Sequence, residues 1–394
     1  MSEEGLLPKG FRYAGIAAGI KASGGRDMAL IVSDVPAAAA GTFTTNRVCA
    51  APVRICREHL KGGVGRAIVT NSGIANACTG EAGMRAARTM AGATAARLGC
   101  APEEVFVCST GRIGPQLPLD RIEEGIVRLC AEAGTEGVAD VAAAMMTTDT
   151  RPKTACAEVR IGGRTVRLLG FAKGSGMIEP NMATMLAFVA TDAAVEQAAW
   201  QGALKRAVDR SFNRISVDGD RSTNDTVLAL ANGLAGNAPL REDSPDWSAF
   251  CAALEGICFD LAMQIVRDGE GADRFVTVRV VGAASSEDAE RAARAVANSL
   301  LNKTAWAGVY PNWGRVMDAI GYSGAEVREE RVSIRYDAVC AVENGMRSAA
   351  PQAALVEVVS KREFEIGIEL GLGAGEAVVY TCNCTEAYVR INVE

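Results

Sequence analysis

Short apolar segments alternate with polar turns along this chain, and the spacing of the apolar positions predicts most of its elements. Residues 15–20, 28–32, 37–43 and 49–55 are apolar runs separated by turn residues. Residues 64–70 read as a strand running into Asn71-Ser72-Gly73. A helix follows from about 81 to 98, with alanines, Met84, Met90 and Leu98 on its apolar face. Next come a strand at 105–108, the turn Ser109-Thr110-Gly111, an amphipathic helix over about 119–133 and a helical stretch at 138–146. Residues 156–161 and 164–171 pattern as a hairpin that leads into Lys173-Gly174-Ser175-Gly176. Residues 185–190 read as a buried strand.

Beyond it, Asp192 is the N-cap expected for a helix reaching about 212, with Trp200, Leu204 and Val208 on one face. Residues 222–231 read as a strand and 247–266 as a long apolar-rich helix, stopped by Asp268-Gly269-Glu270-Gly271. A strand at 274–281 precedes a helix to about 301, which Ser285-x-x-Asp288 caps. The C-terminal quarter reads as mostly β, with strands near 332–342, 363–370 and 378–382 and an Asn344-Gly345 turn. Strands and helices mix without a strict βαβ rhythm. The expected fold is therefore α/β in the α+β sense, with stacked sheets flanked by helices rather than a doubly wound sheet.

Length and composition narrow the function. A chain of 394 residues is two to three folding units or one large layered unit. With 49% apolar and 22% charged residues it is an ordinary soluble composition. A net charge of −6 with no long basic run argues against nucleic acid and anionic membrane surfaces as partners. The acidic start Met1-Ser2-Glu3-Glu4 lacks a signal-peptide core, and no stretch approaches the roughly 20 apolar residues of a membrane span. The 12 cysteines include one close pair, Cys382-x-Cys384, which fits neither a zinc ribbon nor a redox Cys-x-x-Cys. Reduced, mostly buried thiols in a cytoplasm are expected, and no metal site. The single histidine, His59, excludes a site built on several histidines. It also means that an acyl-transfer enzyme here would use some other base.

The candidate chemistry centres on Asn181-Met182-Ala183-Thr184, a small residue followed by a hydroxyl nucleophile where a loop becomes a strand. A threonine there can attack the preceding carbonyl, and hydrolysis of the resulting ester frees a new N-terminal threonine. Its α-amine can then act as base for its own hydroxyl. The same residues could equally be a loop feeding a core strand. Ser109-Thr110-Gly111 could supply oxyanion donors or be an ordinary turn. Glu270, between glycines, could meet a ligand or merely end a helix. Lys173 precedes its glycines, the reverse of a phosphate-binding loop, so a nucleotide role is disfavoured. Residues 213–225 are dense in short polar side chains and lack EF-hand spacing, which favours a hydrogen-bonded structural loop over a calcium site. Residues 302–305 and 311–315 share that ambiguity.

Taken together, these segments resemble the glutamate N-acetyltransferase (ornithine acetyltransferase) family of arginine biosynthesis. The matching stretches are Gly10-Phe11, Gly19-Ile20-Lys21, Phe43-Thr44-Thr45-Asn46, Asn76-Ala77-Cys78-Thr79-Gly80, Ser109-Thr110-Gly111 and Met146-Thr147-Thr148-Asp149-Thr150. Residues 173–186, 211–226 and 268–271 match too, as does Pro311-Asn312-Trp313-Gly314-Arg315. The resemblance implies a layered αββα sandwich, similar to N-terminal-nucleophile hydrolases but different in connectivity. It implies self-cleavage between Ala183 and Thr184 into an α chain (1–183) and a β chain (184–394). These would assemble as a heterotetramer of two α and two β chains. Thr184 would be the nucleophile, Thr110 and Gly111 the oxyanion hole, and Thr147, Lys173, Glu270 and Asn392 the holders of an amino-acid substrate. No cofactor is implied, with acetyl-CoA a candidate co-substrate. A threonine amidase, an aminopeptidase and a non-catalytic binding paralogue are the alternatives. Three positions depart from the family pattern. Ile74 stands where asparagine is usual, and Tyr310 where aspartate is usual. The chain ends at Glu394, where the family continues with a tyrosine and a terminal hydroxyl residue, so looser substrate binding is expected.

Overall fold

The structure, a computed structural model, describes residues 7–179 and 185–393. Ala183 and Thr184 lie outside the described residues. Two compact units form: residues 1–174, 180–213 and 221–265 in the first, and 175–179, 214–220 and 266–394 in the second. Both therefore take residues from either side of position 184.

The first unit holds an eight-stranded sheet. Its strands are β1 (Phe11–Ile16), β2 (Met28–Phe43), β3 (Val64–Asn71), β4 (Val105–Ser109), β5 (Lys153–Ile161), β6 (Arg164–Lys173), β7 (Leu186–Thr191) and β9 (Thr226–Ala231). The order is β4-β3-β2-β9-β7-β6-β5, with β1 on the first half of β2. The apolar runs at 28–32 and 37–43 thus join into one strand. It shifts register between Val32 and Ala37, so β1 pairs with its start and β9 with its end. β7 and β9 are buried at every position and pair in parallel at the centre, as their unbroken apolar runs require. β5 alternates and lies at the edge.

Helices α1 (Ala51–His59), α2 (Gly80–Leu98), α3 (Leu119–Glu132) and α4 (Val138–Met145) share one apolar core with β1–β4. The apolar run at 49–55 thus feeds a helix that starts at Ala51 and carries Pro52 in its first turn. In α5 (Gln197–Arg210) the N-cap position is Glu196, with no side-chain cap. Asp192 is instead fully buried, taking the Lys9 N–H at 3.1 Å and the Arg167 N–H at 2.8 Å. An acceptor buried among strand ends satisfies orphan amides there before it can reach a helix. α6 (Trp247–Arg267) corrects a second expectation, since it is long and apolar enough to cross a membrane. Its apolar face is used inside the protein: Leu254, Cys258 and Leu261 are fully buried, and Ile257 and Leu261 stand over Gly170 of β6.

The second unit's sheet runs β13-β12-β11-β14-β10-β15-β8. Its strands are β8 (Ile215–Ser216), β10 (Phe275–Ala283), β11 (Ser333–Tyr336), β12 (Val339–Glu343), β13 (Met346–Arg347), β14 (Glu363–Glu369) and β15 (Gly375–Cys382). α7 (Ser286–Asn298) covers β10 and β15 and starts as expected, with the Asp288 N–H bonded to the Ser285 hydroxyl at 3.1 Å. It stops earlier than expected, because Ser299 caps a separate helix, α8 (Leu300–Ala307). Three more helices make the C-terminal quarter less β-rich than its pattern suggests: α9 (Trp313–Gly321), α10 (Gln352–Val359) and α11 (Glu386–Ile391). The two ambiguous motifs are structural. Lys303, 3% exposed, bonds Thr381 and the Cys382 carbonyl at 2.7 Å each, and Asn312 caps α9. All 12 cysteines are free thiols, but only Cys56, Cys108, Cys258 and Cys382 are buried, fewer than the composition suggested.

Candidate active site

In the first unit the geometry is set by the ends of β3, β4 and β6. β4 pairs in parallel with β3, and Asn71 lies opposite Ser109. The Asn71 side chain then ties both loops, accepting from the Ser109 hydroxyl at 2.6 Å and donating to the Ile74 carbonyl at 2.9 Å. Thr110 donates its N–H to the Asn71 carbonyl at 3.0 Å. Two donors are left at this turn, the Thr110 hydroxyl and the Gly111 N–H, and neither has a partner among the described residues. Adjacent donors held by a rigid strand end are what a developing oxyanion requires.

Gly111 sits at φ +125°, and a Cβ there would fall 2.3 Å from the Gly73 carbonyl carbon. No other residue fits without moving this backbone. Gly111→Ala is therefore expected to cost on the order of 1–3 kcal/mol of local strain and clash. It should lower kcat more than KM, checked by steady-state kinetics beside a thermal melt. Unchanged kcat would rule the turn out as an oxyanion site. Ile74, the departure from the family pattern, is part of this scaffold, bridging Thr110 and Arg112 through its backbone. Tyr310, the other departure, is 53% exposed.

Lys173 closes β6 and is 5% exposed. Its ammonium donates to the Thr147 hydroxyl at 2.8 Å and lies 3.8 Å from Asp149. Asp149 is fully enclosed, taking the Lys153 ammonium at 2.7 Å, the Gly174 N–H at 2.7 Å and the Thr147 N–H at 2.9 Å. Burial alone would push its carboxyl up. The two lysines and the hydrogen bonds outweigh that and hold it far below the usual carboxylate range. One carboxylate thus pins the loop bearing Thr147 to the strand end bearing Lys173. Lys21 stands within electrostatic reach of Lys173, and burial lowers its ammonium. The arrangement suits an anion such as a carboxylate.

In the second unit Glu270 is 8% exposed and accepts from the Asn392 amide at 2.7 Å. Its N–H bonds the Ser175 carbonyl at 2.8 Å, and its carboxylate lies so close to Gly176 that a Cβ there would meet it at 2.4 Å. Asp218 organises the same segment, taking the Met177 N–H at 2.5 Å, the Ile178 N–H at 2.8 Å and the Tyr388 hydroxyl at 3.3 Å. A buried carboxylate beside an amide suits an ammonium group.

Of the site residues expected from sequence, Thr110 with Gly111, Thr147 with Lys173, and Glu270 with Asn392 stand together as pairs; Thr184 lies outside the described residues. Sequence reading missed Asn71, Asp149, Lys153 and Asn224. The Asn224 amide donates to the Ser109 carbonyl at 2.9 Å and the Ala75 carbonyl at 2.6 Å, fixing the Ser109-Thr110-Gly111 turn. Asn224 lies in the polar-dense run at 213–225, the one sequence signal that could have found it. His59 bonds the Val105 carbonyl at 2.8 Å, a structural task. His59→Ala is expected to keep kcat within a few-fold, whereas loss of a general base would cost about 10²–10⁴-fold.

The fold is a mixed α/β one, and its first unit presents a buried lysine at a strand end and a turn with two donors that have no partner among the described residues. A profile of the ArgJ family matches residues 12–394. The chain belongs to that family, and with it to the enzymes of arginine biosynthesis, which bears out the resemblance drawn from the motifs. The arginine biosynthesis bifunctional protein ArgJ of Geobacter sulfurreducens is 49% identical over 387 residues, 98% of each chain. That of Symbiobacterium thermophilum is 51% identical over 98% of this chain and 96% of its own. A crystal structure of the Bacillus halodurans ArgJ protein is similar at 41% identity and a TM-score of 0.52, covering 53% of this chain and 99% of the solved one.

Proposed function

We propose that the protein moves an acetyl group from N2-acetylornithine to glutamate by a ping-pong cycle through an acetyl ester on Thr184, after cutting itself between Ala183 and Thr184. The observation that carries this is the family match along almost the whole chain, residues 12–394. The cut has a further support. The solved relative's polypeptide is matched over 99% of its length yet covers 53% of this chain, and residues 184–394 are a little over half of it.

In this reading Thr110 and Gly111 receive the oxyanion formed when Thr184 attacks the acetyl carbonyl. Lys173 and Thr147 suit the carboxylate of the amino acid, and Glu270 with Asn392 suits an ammonium or incoming amine. The free Thr184 amine takes the hydroxyl proton and returns it to the leaving amine. The acetyl group is then conserved between two amino acids, with acetyl-CoA the candidate second donor, and no cofactor takes part. The α and β chains remain associated, as two of each, in the cytoplasm.

Intact mass spectrometry of the purified protein, followed by assay with acetylornithine and glutamate, tests this. Two fragments and stoichiometric acetylglutamate are expected. Acetate release without acetylglutamate would make the enzyme an amidase instead.

A further inference from the structure

Around the Thr110 hydroxyl and the Gly111 N–H, the backbone of the turn is tied down peptide by peptide. The Ser109–Thr110 peptide is held at both ends. Its N–H, on Thr110, donates to the Asn71 carbonyl at 3.0 Å, and its C=O, on Ser109, accepts from the Asn224 amide at 2.9 Å. Beyond the turn, the Arg112 N–H donates to the Gly73 carbonyl at 3.1 Å, and the Arg112 carbonyl accepts the Ala75 N–H at 2.9 Å. The Asn224 amide reaches that facing segment too, donating to the Ala75 carbonyl at 2.6 Å. Asn224 is 7% exposed, and its side-chain oxygen accepts from the Thr223 hydroxyl at 2.5 Å. Two carbonyls on one side and a hydroxyl on the other fix which end of the amide is nitrogen. All these residues belong to the first unit.

We propose that Asn224 is a positioning residue for acetyl transfer, aiming the Thr110 hydroxyl and the Gly111 N–H, an inference that rests on the function proposed above. It acts through the turn rather than on substrate. Pinning the Ser109 carbonyl fixes the plane of the Ser109–Thr110 peptide. That plane sets the direction in which the Thr110 side chain leaves the backbone and the point from which the Gly111 N–H is presented. Oxyanion donors work only when they are already aimed at the developing charge. A misplacement of about 1 Å is enough to lower a rate on the order of 100-fold. The other end of the same peptide is held by the backbone carbonyl of Asn71, which no substitution removes. Asn224 is therefore the side chain whose loss frees the plane. A carboxyl in its place would keep the shape but has no donor when ionised and a single one when protonated.

Asn224→Asp and Asn224→Ala are compared with wild type by steady-state kinetics with acetylornithine and glutamate, beside a thermal melt. Rates are taken per cut chain, counted by intact mass. Both variants are expected to fold, to be cut, and to lower kcat by about 10–100-fold with KM within about threefold, because the interaction is made in the transition state alone. A pH profile separates aiming from general weakening. From about pH 8 down to 5, the kcat of Asn224→Asp should rise relative to that of Asn224→Ala, since a carboxyl buried against two carbonyl oxygens titrates above its ordinary range and regains a donor on protonation. A kcat within about threefold of wild type overturns the role, as does a raised KM at unchanged kcat, or a ratio that stays flat or falls with acid. Variants that melt below the assay temperature or stay uncut make Asn224 a part of the scaffold only, and overturn it too. If wild type forms no acetylglutamate, the proposed function fails and this role with it; if wild type is active and both variants match it, only the positioning role fails.

Discussion

Thr184→Ala is expected to remain a single uncut chain and to lose acetyl transfer by on the order of 10⁴-fold or more, since residues acting as one catalytic unit fail together. The substitution removes two things at once. Without the hydroxyl there is no attack on the Ala183 carbonyl, so no new N-terminus forms. Without the N-terminal amine and its hydroxyl, there is neither base nor acyl acceptor for the substrate. Thr184→Ser, which keeps a hydroxyl, should still cut and retain measurable activity. Intact mass spectrometry and an acetylglutamate assay check both variants. A cut, active Thr184→Ala protein would refute the threonine mechanism outright.

Asp149→Ala should have the largest effect on stability. Lys153 and Asp149 are completely enclosed, and the Lys173 side chain is 7% exposed. Removing one member of a buried ion pair typically costs about 3–5 kcal/mol, because the remaining charge stays desolvated while its counter-ion is gone. A drop of that size should appear as a lower urea midpoint at unchanged slope. The carboxyl is depressed in the folded state, so its contribution is complete above the unfolded value of about 3.9 and is lost only as pH falls through the lower folded value. Wild type should therefore keep this contribution down to about pH 4, and below that the stability gap between wild type and Asp149→Ala should narrow. A gap that closes on going from pH 5 to 8 instead would contradict the assignment. Because Asp149 also anchors Lys173 and the Thr147 loop, whatever folded variant remains should show a raised KM for amino-acid substrates.

The elements legible in the sequence are those whose signal is local. β7 and β9 are unbroken apolar runs, and runs of that kind belong in the middle of a sheet. The Ser285 cap needs only the Asp288 N–H three residues on. Misreadings arose where a local signal had a distant competitor. Asp192 is chemically a good N-cap, but Arg167, 25 positions away, takes its carboxylate. The runs at 28–32 and 37–43 are interrupted by Ser33-Asp34-Val35-Pro36, yet one strand can carry both when it changes partners partway along.

The site divides in the same way. By itself, the sequence determined which functional groups are available: a hydroxyl after a small residue, a turn with a glycine that tolerates φ +125°, a lysine ending a strand, a carboxylate between glycines, and one histidine only. Ordered motifs along the chain carried the family, because each is a run of neighbours. Tertiary structure decided what state those groups are in. Asn224 and Ser109 are 115 positions apart, and Lys173 and Thr147 are 26 apart. Asp149 and Asp225 are the same residue type, both enclosed in the first unit. Two lysines and several N–H donors hold Asp149 far below the usual carboxylate range, while burial pushes Asp225, whose carboxyl has no hydrogen-bond partner among the described residues, well above it. The charge of a buried carboxyl is set by desolvation against whatever the fold brings within a few ångströms, and chain order does not encode that distance.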